Sequence, residues 1–161
     1  MLRGGKAMKP LRILVVEDEG IVAFLLAQIL ESMGHEVCGI ENDKAGAIAA
    51  AKRCKPDLMI VDDRLGRESG LTVIETILLD GSMPHVFVSG DVSRIRSSRP
   101  LAVVLEKPFF EADLEQAIRR ALPQPAAVSH LCPIDPTGEG FAARGQVADR
   151  APSAVASLGS A

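Results

Sequence analysis

Short apolar runs alternate along the chain with stretches whose apolar residues recur every three or four positions. Arg12 to Val16 is a β-branched run between Pro10 and a pair of acids, which predicts a buried strand. Gly20 to Met33 places Ile21, Leu25 and Ile29 at helical spacing, and Gly34 follows as a left-handed C-cap. His35 to Ile40 reads as a second strand and Asp43 to Arg53 as an Ala-rich helix that stops before Pro56. Asp57 to Val61 is nearly all apolar, as expected of a strand covered on both faces. Leu71 to Leu79 is a helix, and His85 to Val88 a fourth strand. Only a stunted helix fits between Asp91 and Pro100, before a fifth strand over Leu101 to Leu105. Glu111 to Leu122 is an amphipathic helix with Leu114, Ala117, Ile118 and Ala121 on one face.

Strands alternating with helices imply right-handed βαβ units. The expected fold is α/β, a doubly wound five-stranded parallel sheet with helices on both faces. In such sheets the functional crevice lies beyond the C-terminal strand ends. Polar residues that break the apolar runs fall at those ends: Glu17 and Asp18, then Asp62, Ser89 and Lys107.

Composition narrows the class. Of 161 residues, 47% are hydrophobic and none is Trp or Tyr, so the core must be aliphatic. The net charge of −3 gives no basis for a nucleic-acid partner. The run Ile21 to Leu30 is too short to cross a bilayer, and Met1 to Pro10 lacks the apolar stretch of a signal peptide. Cys38, Cys54 and Cys132 have no metal-ligand spacing and fit free thiols in a reducing cytoplasm. The expected organisation is a flexible extension over 1–9, one domain over 10–122 and a disordered Pro-, Ala-, Gly- and Ser-rich tail over 123–161. The tail is too poor in aliphatic residues for a helix-turn-helix output domain.

If the strand ends converge, Glu17, Asp18 and Asp62 crowd three carboxylates into one volume, which calls for a cation. Oxygen-only donors suit Mg²⁺. Asp62 is then placed as a carboxylate nucleophile, with Lys107 and the Ser89 hydroxyl facing phosphoryl oxygens. The Lys107–Pro108 peptide is a candidate for the cis form.

The segments LRILVVEDE, PDLMIVDDRLGRESGL, VFVSGD and LEKPF resemble, in order and spacing, the receiver domains of two-component response regulators. The resemblance covers about Pro10 to Leu122. It implies the flavodoxin-like strand order 2-1-3-4-5. It also implies that Glu17 and Asp18 hold Mg²⁺, that Asp62 is both ligand and phosphoacceptor, and that the Arg64 carbonyl is a further ligand. Ser89 matches the switch hydroxyl and Lys107 the lysine that meets the phosphoryl group. The implied role is signalling rather than enzymatic turnover. A sensor histidine kinase or phosphotransfer protein donates, and a downstream protein responds, with no nucleic acid and no membrane involved. A receiver-like binding module that works without phosphorylation is the alternative. A metal-dependent phosphatase is disfavoured, because the first strand ends in paired acids instead of supplying the nucleophile.

Three positions depart from the family pattern. Asp63 stands where an aliphatic residue is usual; it either points to solvent or adds a fourth negative charge beside Asp62. Val104 replaces the aromatic residue often found three before the lysine. The stretch from Ser89 to Lys107 is about a helical turn short. Arg94, Arg96 and Arg99 read as a solvated face. Arg64 and Asp91 are expected to flank the entrance to Asp62 and to slow attacking water by pairing.

Overall fold

The structure is a computed structural model that describes residues 8–124. The expected extension and tail therefore lie almost wholly outside the described residues. In chain order the elements are β1 (Arg12–Val16), α1 (Gly20–Ser32), β2 (Glu36–Glu41), α2 (Lys44–Cys54) and β3 (Leu58–Asp62). A small ladder follows, β4 (Arg64–Leu65) with β5 (Glu68–Ser69), and then α3 (Gly70–Leu78) and β6 (His85–Ser89). The chain continues with α4 (Val92–Ser98), β7 (Val104–Glu106) and α5 (Glu111–Ala121). Five strands form one parallel sheet in the order β2-β1-β3-β6-β7. Counting only those five, this is the 2-1-3-4-5 order that the resemblance implied.

Local chemistry explains most element ends. The Asp43 side chain accepts from the Gly46 amide at 2.7 Å and caps α2, whose exit is turned by Lys55 in a left-handed conformation (φ 47°). Gly34 takes φ 87° after α1, as its position after the last periodic residue required. The Phe110 amide donates to the Asp113 carboxylate at 2.9 Å at the start of α5. α4 has only seven residues, in keeping with the short spacing before Lys107.

Two details differ from the periodicity. The fifth strand begins at Val104 rather than Leu101, and its residues Val104 to Glu106 pair with Phe87 to Ser89 of β6. Leu101 instead sits in a turn closed by the Ala102 amide on the Arg99 carbonyl and is 98% exposed. The β4–β5 ladder was not anticipated; its two-residue arms carry no alternation signal.

The sheet is packed on both sides. Alternation sends Leu58 and Ile60 of β3 into a cluster with Leu26, Leu30, Leu114 and Ile118 of α1 and α5. Met59 and Val61 face the other way, into a cluster with Ala47 and Ala50 of α2, Val73 and Ile74 of α3, and Ile95 of α4. All five β3 residues are buried, which is why the strand reads as unbroken apolar sequence up to Asp62.

Gly70 couples this packing to the end of β3. A Cβ at Gly70 would overlap the Asp62 carbonyl oxygen and come within 3.0 Å of its carbonyl carbon and 2.9 Å of a Val61 methyl. The start of α3 thus rests directly on the backbone that presents Asp62. Gly70→Ala is expected to destabilise the fold by about 2–4 kcal/mol, as backbone clashes in cores do. Urea denaturation checks this; a midpoint unchanged from wild type would show that α3 does not bear on Asp62.

Candidate functional site

The C-terminal edge of the sheet gathers the expected residues from distant parts of the chain. The Glu17 amide donates to the Glu41 carbonyl at 2.9 Å, so β1 carries Glu17 to the strand edge. Its carboxylate accepts from the Glu19 amide at 3.1 Å as the chain turns into α1. Asp18 is exposed, and its carboxylate accepts from the Gly66 amide at 2.8 Å. The β4–β5 ladder holds that loop in place, with Gly66 in a left-handed conformation (φ 59°). Asp62 closes β3 and is 8% exposed; Glu17 is 3% exposed.

Carboxylate oxygens of Glu17, Asp18 and Asp62 all lie within 4.8 Å of one another. Lys107 enters from β7, its amide donating to the Ser89 carbonyl at 2.9 Å, and its peptide to Pro108 is cis as expected. Its ammonium spans two of the acids, 3.2 Å from Asp62 Oδ1 and 3.3 Å from Glu17 Oε2. Asp18, Asp62 and Lys107 border a hollow of about 530 Å³ that Asp63, Arg64, Ser89 and Asp91 also line.

The electrostatics follow from burial. Desolvation raises the Asp62 carboxyl above the ordinary range, against the pull of the Lys107 ammonium. Glu17 is raised for the same first reason, with Asp62 adding repulsion and the Glu19 amide and Lys107 opposing it. Desolvation works to lower Lys107, but Asp62 and then Glu17 outweigh it and leave the ammonium held above its ordinary value. Without a further cation both carboxyls are therefore harder to ionise than in the unfolded chain. An oxygen-only set of this kind fits a hard divalent cation.

The departures resolve differently from one another. Asp63 does not point to solvent: it is 2% exposed. It lines the hollow beside the acid cluster, where its Oδ2 faces the Ser89 hydroxyl at 3.3 Å and lies 3.6 Å from an Arg94 nitrogen. Arg94 is therefore not simply part of a solvated face. Ser89 lines the hollow, but its hydroxyl accepts from the Asp91 amide at 2.9 Å, and its single proton is shared between Asp63 Oδ2 at 3.3 Å and the Asp91 carbonyl at 3.0 Å. Arg64 and Asp91 flank the entrance without forming an ion pair, although the Arg64 charge contributes to holding the Asp91 carboxyl low, after the Ser93 hydroxyl that bonds it.

Comparison with known proteins bears on the fold that carries these residues. Residues 13–119 match the family model described as the response regulator receiver domain. The chain belongs to the response regulator receiver domain family. The transcriptional regulatory protein PdtaR of Mycobacterium tuberculosis is 32% identical to this receiver over 121 residues, 72% of the chain and 58% of PdtaR. The phyllosphere-induced regulator PhyR of Methylorubrum extorquens is 32% identical over 114 residues, 68% of the chain and 43% of PhyR. The solution structure of the Erythrobacter litoralis PhyR receiver domain superposes with a TM-score of 0.66 at 29% identity, covering 76% of the chain and 99% of that domain. The receiver thus spans about half the length of the curated relatives it matches.

The raised acids set the sign of a stability test. The contribution of Asp62 and Glu17 is present below the unfolded carboxylate value and is lost as pH rises through the folded one. In metal-free buffer at pH 7, Asp62→Asn is expected to melt a few degrees higher than wild type, roughly 1 kcal/mol. The difference should vanish as pH falls below the ordinary carboxylate range, where Asp62 is protonated in both the folded and the unfolded chain. Thermal melts across that range check it; a variant less stable than wild type at pH 7 would refute the repulsion.

Proposed function

We propose that this receiver takes a phosphoryl group onto Asp62 from a partner histidine kinase or phosphotransfer protein and signals through protein contacts in a phosphorelay. The supporting observation is the gathering of the Glu17, Asp18 and Asp62 carboxylates, with the Lys107 ammonium bridging Glu17 and Asp62. Two nearly buried carboxylates held this close cost folding stability, and such costs concentrate where chemistry needs them.

Magnesium fits the donor set, with the Glu17, Asp18 and Asp62 carboxylates and the Arg64 carbonyl as the residues that would hold it. Bound there, it supplies positive charge against the repulsion between Asp62 and incoming phosphoryl oxygens. The protein's own residues do the rest. An Asp62 carboxylate oxygen attacks phosphorus; the O–P bond forms as the N–P bond of the donor phosphohistidine breaks. The electron pair stays on the departing imidazole nitrogen. Lys107 offers its N–H groups to the transferring oxygens at the position where it now bridges Asp62 and Glu17. The Ser89 hydroxyl then turns from Asp63 toward the new phosphoryl oxygens, and the surface beyond β6 and β7 changes with it. The activity is signalling, in a cytoplasmic setting, with a protein target rather than nucleic acid or membrane. Free thiols at Cys38 and Cys54 suit that setting, and no helix among the described residues is long and apolar enough to cross a membrane.

A binding module independent of phosphorylation is the second reading, favoured by Val104 in the usual aromatic position. Intact-mass analysis with acetyl phosphate and Mg²⁺ separates the two. Wild type should gain one phosphoryl mass reversibly, Asp62→Asn none, and Lys107→Ala should label roughly a hundredfold more slowly. Equal masses for wild type and Asp62→Asn would establish the module instead. Because Arg64 and Asp91 stand at the entrance, Arg64→Ala should lose its phosphoryl group about fivefold faster, as a small fall in the hydrolysis barrier would produce. Following the decay of the labelled mass checks this, and equal lifetimes would remove Arg64 from any shielding role.

A further inference from the structure

Asp63 is the one acid at this edge with no part in the chemistry above, yet it is more deeply buried than Asp62. Three observations set it apart. Its Oδ2 faces the Ser89 hydroxyl at 3.3 Å, whose proton it shares with the Asp91 carbonyl, and the Arg94 guanidinium at 3.6 Å. Its Oδ1 is buried and has no hydrogen-bond partner. Its backbone is fixed at both ends, the amide donating to the Val88 carbonyl and the carbonyl accepting from the Gly70 amide, each at 2.9 Å. A buried carboxylate with one oxygen orphaned and the other half-satisfied is costly. The strand does not require it: β3 ends at Asp62, and the residues that share the face of Asp63, Met59 and Val61, are apolar.

We propose that Asp63 is a positioning residue that links the Ser89 hydroxyl to α4 through Arg94, so that the state of Asp62 reaches α4 as an electrostatic pull. The inference rests on Ser89 as the hydroxyl that answers phosphorylation. When that hydroxyl leaves, Asp63 loses the one side-chain hydrogen bond it has among the described residues. The remaining partner is Arg94, whose nearest nitrogen now stands beyond ordinary hydrogen-bond distance. A guanidinium fork has a second N–H for the orphaned Oδ1, so both oxygens are satisfied if Arg94 closes in. Arg94 belongs to the first turn of a seven-residue helix with a single buried residue, Ile95. So small an element, anchored at one point, moves at low cost when pulled.

Amide hydrogen exchange across residues 92–98 tests the link. With acetyl phosphate and Mg²⁺, wild-type exchange there should slow about fivefold, the lower end of ordinary coupling strengths. Arg94→Gln should take up the phosphoryl group to the wild-type extent, by intact mass, and lose the slowing. Arg94→Lys should restore part of it, and the isosteric Asp63→Asn should lose it as Arg94→Gln does. Without any phosphodonor, Ser89→Ala strips the hydroxyl from Asp63 and should by itself slow exchange in α4. Full slowing in phosphorylated Arg94→Gln, or unchanged α4 exchange in Ser89→Ala, would overturn the proposal. A wild type that accepts no phosphoryl group would instead sink the reading of Asp62. The Ser89→Ala comparison tells the two failures apart, because it needs no phosphodonor.

Discussion

One ammonium, on Lys107, stands between two carboxylates that the sheet has nearly removed from water. Glu17 and Asp62 repel each other, and burial makes both harder to ionise. Lys107 offsets part of this, but one positive charge faces three acids once Asp18 is counted. The rest of the fold is arranged to keep that imbalance in place. β1 and β3 run side by side in parallel, so their ends present Glu17 and Asp62 at the same level. β7 delivers Lys107 from the far side of β6, and the small β4–β5 ladder brings the Gly66 amide against Asp18. A site held short of positive charge is one that gains from a cation and from a chemical event that redistributes charge.

Close packing is what makes the imbalance tolerable. Asp62 follows four buried apolar residues of β3, clamped between clusters on both sheet faces. Its carbonyl is covered by the backbone at Gly70, leaving no room for a side chain there. The carboxylate therefore cannot relieve repulsion by letting the strand end drift outward. Rigidity of this kind is a general condition for preorganised charge: the surrounding structure must hold the geometry through the whole cycle.

Much of this was legible in the sequence because two rules act together. Hydrophobic period separates the strands from the helices, and strand ends in such a sheet share one edge. Glu17, Asp62, Ser89 and Lys107 each interrupt or terminate an apolar run, so their convergence followed from topology before any coordinate was known. Asp63 was harder, since a second acid in an acidic pair gives no sign of its direction. The signal was present in the alternation: Met59, Val61 and Asp63 share a face, and the first two pack with Ile95 of α4. The partnership with Arg94 was not readable, because three arginines within six residues look like solvated surface until one of them has a buried acid to meet. The β4–β5 ladder and the late start of β7 escaped for a different reason: both are set by which backbone groups find partners, not by side-chain pattern.

The residue at 104 bears on how a signal leaves the site. A large ring can occupy alternative pockets and so report a neighbour's movement by its own rotation. Val104 cannot, because its branched side chain is short and stiff at χ1. It is half-buried against the α2–α3–α4 side of the core, already in van der Waals contact with that cluster. A steric relay along β7 therefore has little to move. On β6 the situation is the reverse. The β3–β6 register pairs Asp62 with Val88, which sets Asp63 beside Ser89 at the next step along both strands. The hydroxyl and the buried carboxylate are neighbours by construction, with Arg94 on the far side of the acid. Charge acts over a longer reach than contact and needs no empty pocket for a swinging ring. With a short, stiff side chain at 104, a signal carried through the buried acid needs no swinging ring and no displacement of packed side chains.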